Sequence, residues 1–220
     1  MSRHKLKKFA ENEARNNIVQ PGKELFDKIK GKWRSLYFKN QRPLILELGC
    51  GRGEYTVGMA RLQPENNFVG VDIKGDRIWK GGKTADLEQL DNVAFLRTKV
   101  QSLENFFQKD EADQIWLTFP DPRPKKRDIK RRMTHPRFME IYRRVLKPGG
   151  RVHLKTDSDI LFNYTLEVVP QLSTAGQLQY TDDLYRSELV SPMLEIRTHY
   201  ENLFSEQGFS IKYLTFVFED

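Results

Sequence analysis

From residue 43 onward, short apolar runs alternate with longer stretches in which apolar residues recur at helical spacing. Short apolar runs that end at glycine, proline or an acid are typical of buried strands. The predicted strands cover 44–48, 68–71, 93–96, 113–119, 152–156 and 209–218. The predicted helices cover 54–62, the stretch from 73 to about 90, 101–109, 135–146, 158–169 and 196–207. Strands that alternate with helices predict a parallel sheet with helices on both faces.

The pattern predicts one α/β domain over residues 40–220. We expect a Rossmann-like fold with a mostly parallel, seven-stranded sheet and antiparallel strands at its C-terminal edge. Residues 1–39 are polar and basic and are interrupted by Pro21-Gly22 and Gly31, so we expect a basic N-terminal arm that orders with a partner.

Charge is concentrated in two places. The chain has 37 Lys and Arg against 30 Asp and Glu, a net charge of +7. Residues 1–39 hold eleven basic and four acidic residues, and residues 123–132 hold seven basic and one acidic. Such patches fit a nucleic-acid phosphate backbone, although a run of charge is also what a solvated face looks like.

Several classes of protein are disfavoured. The single cysteine, Cys50, excludes an internal disulfide, and four dispersed histidines give no metal-ligand spacing, so we expect no metal. No signal-like segment and no run of eighteen apolar residues is present. We therefore expect a cytoplasmic protein with no membrane contact and no obligatory protein partner.

A glycine-rich turn follows the first predicted strand. Gly49, Gly51 and Gly53 separate it from the first helix, where glycines let the backbone approach a nucleotide closely. The third glycine falls one residue too early for the dinucleotide fingerprint, and the Lys-Ser/Thr of a phosphate-binding loop is absent. An ordinary strand-to-helix turn is the structural alternative.

Acids flank this turn. Glu47 lies in the first strand and Asp72 ends the second. With the glycines, they resemble the class I S-adenosylmethionine-dependent methyltransferases. The resemblance implies that Glu47, the three glycines and Asp72 bind S-adenosylmethionine, with Asp72 accepting from both ribose hydroxyls. The acid that this family often has near the adenine is absent after the third strand, where Gln101 is the candidate replacement.

Motifs in the second half of the chain resemble one particular family within this class. Phe119-Pro120-Asp121-Pro122, Lys125 with the later Lys130-Arg131-Arg132, Thr156-Asp157 and Thr198-His199-Tyr200-Glu201 occur in this order. Together they are similar to the bacterial tRNA (guanine-N7-)-methyltransferases. Two features depart from that family. Arg123 stands where an aromatic residue is common, which removes a base-stacking candidate, and Asp128-Ile129 stands where a histidine is common.

The resemblance implies methyl transfer to N7 of the variable-loop guanosine (position 46) of tRNA. It makes Asp121 the catalytic or base-positioning acid. Lys125, Asp157, Thr198 and Glu201 become the substrate-binding residues, and the arm and residues 123–132 become the phosphate contacts. Structural alternatives stay open: Asp121 could brace its proline turn, Asp157 could cap the following helix, and Thr198 with Glu201 has the spacing of a capping box.

Two other functions fit parts of the sequence. Methylation of a different nucleobase is one, although such enzymes usually have an aromatic residue after an Asn/Asp-Pro-Pro motif. A non-catalytic RNA-binding module is the other, and the intact Glu47, glycine turn and Asp72 argue against it.

Overall fold

The structure, a computed structural model, describes residues 3–198, 201 and 208–219, with side chains from residue 5 onward. The α-helices are α1 (Arg3–Ala14), α2 (Glu24–Lys28), α3 (Glu54–Leu62), α4 (Gly75–Leu87), α5 (Pro136–Val145), α6 (Asp159–Val168) and α7 (Pro192–Glu195). The strands are β1 (Ile18–Val19), β2 (Leu44–Leu48), β3 (Asn67–Asp72), β4 (Val93–Arg97), β5 (Ala112–Thr118), β6 (Leu146–Thr156), β7 (Ala175–Thr181) and β8 (Lys212–Phe218).

One sheet runs through the molecule in the order β1-β4-β3-β2-β5-β6-β8-β7. The first six strands in this order are parallel, and β8 pairs antiparallel with both β6 and β7. The fold class predicted from the alternating pattern is therefore confirmed. The number of strands differs, because the described sheet has eight strands where seven were expected.

The two faces of the sheet bury separate cores. Leu44, Leu46 and Leu48 of β2 belong to one apolar cluster, and Ile45 of the same strand belongs to the other. This division follows from the alternation of side chains along a strand. Helices cover both clusters, so strand ends are left as the exposed edge where loops can form a site.

The additional strand comes from the segment expected as a basic arm. Ile18 and Val19 pair with Phe95 and Leu96 of β4, and both are buried. In the same segment Trp33 is fully buried, its Nε1 donating to the Phe106 carbonyl at 2.9 Å. Much of the segment thus packs on the domain in this structure. Its ordering on tRNA stays a prediction.

Basic residues of this segment help to hold it in place. Arg34 donates to the Asp113 carboxylate at 2.6 Å, and Lys5 lies 3.6 Å from the Asp76 carboxylate of α4. These charges were expected to face a polyanion. Their ion pairs show that part of the local positive charge serves intramolecular contacts instead.

Most predicted helices are close to those observed. The stretch 101–109 was predicted as a helix but forms only a 3₁₀ turn over Val100–Asn105. The strand β7 was not predicted, since none of its residues is buried and they lack a clear apolar alternation. The predicted helix over 196–207 lies largely outside the described residues.

Candidate active site

The glycine turn after β2 depends on backbone angles that other residues rarely adopt. Gly49, Gly51 and Gly53 have φ values of 75°, 54° and 71°. At Gly53, which precedes α3, a Cβ atom would also lie 2.4 Å from a ring carbon of Phe95. Glycine is thus required at position 53 both by the backbone φ angle and by the lack of room for a Cβ atom. The turn as a whole places backbone without side chains at the sheet edge.

Asp72 ends β3 beside this turn. Its Oδ2 accepts from the Gly51 N–H at 3.0 Å, and its Oδ1 accepts from the Lys74 N–H at 2.8 Å. An ionised carboxylate has about four acceptor positions. About two remain for further donors, which fits the paired hydroxyls of a ribose.

Glu47 lies deeper than the turn that it precedes. It is buried, and its two carboxylate oxygens accept from the hydroxyls of Thr56 in α3 and Thr118 in β5. Burial raises the pKa of Glu47 to about 7, against the lowering effect of the threonine hydrogen bonds. In this structure the side chain braces the turn from below, and its contact with a cofactor stays a prediction.

Gln101 lies on the 3₁₀ turn that follows β4 and is exposed. Because β4 neighbours β3 in the sheet, this turn lies at the same edge as Asp72. The geometry leaves Gln101 accessible to a ligand, and its role toward the adenine stays a prediction.

Asp121 stands on a constrained turn at the end of β5. Phe119 has a φ of 48°, and its N–H donates to the Lys155 carbonyl of β6 at 2.8 Å. The Asp121 side chain is 61% exposed. Its Oδ1 accepts from the Arg123 N–H at 3.1 Å, and its Oδ2 lies 3.0 Å from Arg123 Nε. The carboxylate therefore braces its turn and also faces solvent.

The basic run after Asp121 is not uniformly exposed. Arg132 is buried, and its guanidinium donates to the carbonyls of Pro122 and Arg123 at 3.1–3.3 Å. It also lies over the ring of Tyr164. Within the segment 123–132, from which phosphate contacts are expected, Arg132 is thus occupied by contacts that hold the loop against the Asp121 turn.

Lys125 and Asp157 lie at the adjoining strand ends. Lys125 is exposed, and its ammonium forms no ion pair among the described residues. Asp157 directly follows β6 and is half-buried; burial raises the pKa of its carboxyl. The cap of α6 is Ser158, whose Oγ accepts from the Leu161 N–H at 3.3 Å, so the alternative of Asp157 as the helix cap is wrong.

Thr198 and Glu201 contact each other as the spacing predicted. The Thr198 hydroxyl accepts from the Glu201 N–H at 3.2 Å, which is one half of a capping box. The Glu201 carboxylate does not complete the box. It is fully buried, and it pairs with Lys155 at 2.9 Å and accepts from the Tyr185 hydroxyl. His199 and Tyr200 of the same motif lie outside the described residues.

Sequence reasoning missed Lys155 and Tyr185, which meet at this buried carboxylate. Lys155 lies on β6 on the same side of the strand as His153, and both are buried. A lysine inside a run of buried residues is itself a signal, because such a charge needs a partner. Its partner could not be found from local spacing, because Glu201 lies 46 residues further along the chain.

The predicted site residues converge because their strands are parallel neighbours. The glycine turn follows β2, and Asp121 follows β5, which is hydrogen-bonded to β2 with Glu47 opposite Trp116. Asp72 is the last residue of β3, and Asp157 directly follows β6; these two strands flank the pair. Chain connectivity reverses direction between β2 and β5, the place where open α/β sheets bind ligands.

A groove with a cavity volume of about 780 Å³ adjoins the glycine turn on its helical side. It is lined by α3, α4 and residues 192–197, and it includes Arg52 and Gly53 but neither Asp72 nor Asp121. The groove is therefore an extension beside the turn and not the site at the strand ends.

Residues 3–198, 201 and 208–219 contain neither a cluster of metal ligands nor a membrane-spanning helix. No group of three or more His, Cys, Asp or Glu side chains there could hold a metal ion. No helix in the same residues is long and apolar enough to cross a membrane.

The family model that matches most of this chain makes it a methyltransferase, and its fold is that of the class I enzymes. The chain resembles the solved structure of the 16S rRNA methyltransferase KamB with a TM-score of 0.64 at 14% identity, covering 86% of this chain and 92% of that one. Residues 41–214 match the family described as "Putative methyltransferase". The likeness to KamB bears on the fold alone.

Relatives that match almost the whole chain show which family it belongs to. The tRNA (guanine-N(7)-)-methyltransferase of Cytophaga hutchinsonii is 49% identical over 219 residues, 99% of each chain. The protein of the same name from Christiangramia forsetii is 46% identical, over 98% of each chain. This chain belongs to the tRNA (guanine-N(7)-)-methyltransferase family, and its methyl donor is S-adenosylmethionine. The predicted family and cofactor are confirmed.

Proposed function

We propose that this enzyme methylates N7 of the variable-loop guanosine (position 46) of tRNA. The observation that carries the proposal is the neighbouring position of two carboxylates at one sheet edge. Asp72 accepts from the Gly51 N–H of the glycine turn, and Asp121 stands one strand beyond that turn, with an exposed side chain just after β5. Ligands of open α/β sheets bind at this switch point, and we assign the Asp72 side to the cofactor and the Asp121 side to the substrate.

The substrate's own chemistry limits what the protein has to supply. Guanine N7 already carries a lone pair, so no base is needed to remove a proton from it. S-adenosylmethionine supplies an electrophilic methyl group when bound. As the bond from N7 to the methyl carbon forms, the bond from that carbon to the sulfonium sulfur breaks and the neutral thioether leaves, so the positive charge moves to the purine, where the Asp121 carboxylate beside the ring would stabilise it. The same carboxylate can accept from the guanine N1–H and amino group and fix the ring.

The cofactor and the guanine are held by opposite sides of the edge. On the cofactor side we assign Glu47, the glycine turn, Asp72 and Gln101, with Glu47 acting through its support of the turn. Holding two reactants in line removes much of the entropy cost of transfer.

On the substrate side we assign Lys125, Asp157, Thr198 and Glu201. Lys125 is exposed and unpaired among the described residues, and Asp157 follows the strand next to that of Asp121. Thr198 lies partly at the surface, while Glu201 shapes the pocket from beneath through its buried contacts. Together with Asp121 they would enclose a guanine presented out of its stack.

Phosphate contacts would come from the exposed cations of residues 123–132 and of residues 1–39. Lys126, Arg127 and Lys130 are exposed around the Asp121 turn, and Lys30 and Lys32 are exposed in the N-terminal segment. These contacts carry no sequence information and would set the position of the tRNA on the enzyme. A tRNA substrate also fits a cytoplasmic location.

Transcripts that differ at one nucleotide test the proposal. Unmodified tRNA with guanosine at position 46 is expected to accept about one methyl group from labelled cofactor. The same transcript with adenosine at that position is expected to accept none. Equal incorporation into both transcripts would overturn the assignment of position 46, and incorporation into neither would overturn the function.

A further inference from the structure

Lys155 connects the two walls of the substrate side. Its carbonyl accepts from the Phe119 N–H at 2.8 Å and so holds the turn that carries Asp121. Its ammonium donates to the carbonyls of Leu194 and Ile196 at 2.7 and 3.0 Å. It also lies 2.9 Å from the Glu201 carboxylate. One residue thus fixes the position of both segments.

The surroundings of this ammonium are closed. Lys155 and Glu201 have side chains with 0% exposure, and Tyr185 donates its hydroxyl to the same carboxylate. The rings of Tyr55 and Phe119 lie 5.4 and 5.8 Å from Lys155 Nζ. Burial lowers the pKa of Lys155, and the Glu201 carboxylate opposes that shift. A buried cation with this many acceptors is held in one geometry.

We propose that Lys155 is a positioning residue for the methyl-transfer reaction, acting through Glu201 and the carbonyls of Leu194 and Ile196 to set residues 194–198 and Glu201 against the Asp121 turn. The proposal rests on the proposed function, because it assigns Asp121 and Thr198 to the two sides of a guanine pocket. A buried ion pair is weak evidence for added stability, so geometry is the better reason for its presence.

The first test replaces Lys155 with methionine, which keeps most of the volume and removes the charge and the donors. The kcat/KM for tRNA is expected to fall on the order of 100-fold, the cost of misplacing a reacting group by about 1 Å. The Kd for S-adenosylmethionine, measured by calorimetry, is expected to stay within about twofold, since Lys155 touches neither Asp72 nor the glycine turn. A folded variant with wild-type kcat/KM, or one that loses cofactor affinity equally, would overturn the proposal.

A double-mutant cycle separates positioning from a general structural role. Glu201→Gln is combined with Lys155→Met, and kcat/KM for tRNA is measured for all four proteins. If Lys155 acts in part through Glu201, the loss in the double variant is expected to be smaller than the product of the two single losses; the part that remains comes from the donors to the carbonyls of Leu194 and Ile196, which only Lys155→Met removes. Multiplied losses would contradict the proposal.

Two further variants keep the test valid if a buried charge prevents folding. Lys155→Met with Glu201→Met removes both charges, and such apolar pairs usually fold; we expect it to fold and to remain impaired with tRNA. The matched control is Tyr213→Phe, which removes the 2.7 Å contact to His153 on the same pair of strands. We expect that control to lose stability but to keep its kcat/KM, and a loss equal to that of Lys155→Met would contradict the assignment.

Wild-type enzyme assayed beside these variants distinguishes the two claims. Absence of methyl transfer to tRNA by the wild type counts against the proposed function. Normal transfer by the wild type and by Lys155→Met counts against the positioning role alone.

Discussion

The guanidinium of Arg123 lies 3.0 Å from the carboxylate of Asp121, two residues earlier on the same turn. The Arg123 N–H donates to the other carboxylate oxygen at 3.1 Å. Arg123 thus pairs through both its side chain and its backbone with the acid that we assign to the reaction. This pair is largely exposed, so it contributes little to stability.

Substitutions at these two positions should have very different effects. Asp121→Asn is expected to lower the single-turnover rate on the order of 100-fold or more, because it removes the charge that stabilises the cationic purine. Arg123→Ala keeps the backbone donor and is expected to change that rate by less than about fivefold. Rapid-quench measurements at saturating cofactor check both, with the cofactor Kd as control. An Asp121→Asn enzyme with the wild-type rate would remove the catalytic role from Asp121.

The glycine turn gives a prediction with an internal control. Gly53→Ala adds a Cβ atom 2.4 Å from the Phe95 ring at a residue with a φ of 71°. We expect the Kd for S-adenosylmethionine to rise at least about tenfold, since the turn must shift. Gly149→Ala imposes a similar φ of 72° with nothing within 4 Å of the new atom.

Gly149→Ala is the control. We expect it to lower the free energy of unfolding by about 1 kcal/mol, the cost of the unfavourable φ angle alone, and to leave cofactor binding unchanged. Calorimetry and denaturant unfolding measure the two quantities. Equal cofactor affinity in Gly53→Ala and wild type would show that the turn does not approach the ligand.

Stability should depend on pH through Glu47. Burial raises its pKa to about 7 in the folded protein, against 4.5 for an ordinary glutamate. The folded state therefore binds this proton more tightly than the unfolded state. Its contribution to stability is fully present below pH 4.5 and is lost as the pH rises toward 7.

Glu47→Gln has no such proton, so the difference between the two proteins isolates the effect. From pH 5 to pH 8, the free energy of unfolding of the wild type should fall by about 2 kcal/mol relative to Glu47→Gln. Denaturant titrations at several pH values measure this. Parallel pH curves for the two proteins would show that Glu47 is ionised throughout.

Elements with a clear local pattern were predicted well from the sequence, whereas elements that depend on distant contacts were not. The helix α3 was predicted over its observed residues, because glycine before it and apolar spacing within it are local signals. The strand β1 has two residues and is too short to show any period. Trp33 was assigned to an arm, since only its partners in the fold, Phe106 and Phe107, reveal that it belongs to the core.

The features of the site can also be divided into those that the sequence predicted and those that it could not. The shared position of Asp72 and Asp121 at one sheet edge could be predicted, because the carboxyl ends of parallel strands meet there. The buried state of Arg132 could not, because a run of charges looks the same whether or not one member turns inward. The partner of Glu201 depends on contacts between distant segments, which no local pattern contains.

This difference within the basic run leads to a contrast in salt dependence. Lys126 is exposed, so Lys126→Gln should reduce the slope of log Kd for tRNA against log salt by about 0.7–0.9, the value for one phosphate contact. Arg132→Gln should leave the slope unchanged and lower the rate of transfer, because the Asp121 turn loses its internal donor. Filter binding at several salt concentrations measures the slopes. Equal slope changes in the two variants would show that Arg132 also reaches the RNA.

The most direct test of the central claim maps the methyl group in the product. End-labelled, unmodified tRNA is incubated with the enzyme and S-adenosylmethionine, then treated with borohydride and aniline, which cleave the chain at N7-methylguanosine. We predict a single cleavage at guanosine 46 with the wild type and no cleavage with Asp121→Asn in the same time. Methyl incorporation without cleavage, or cleavage at another guanosine, would contradict the account.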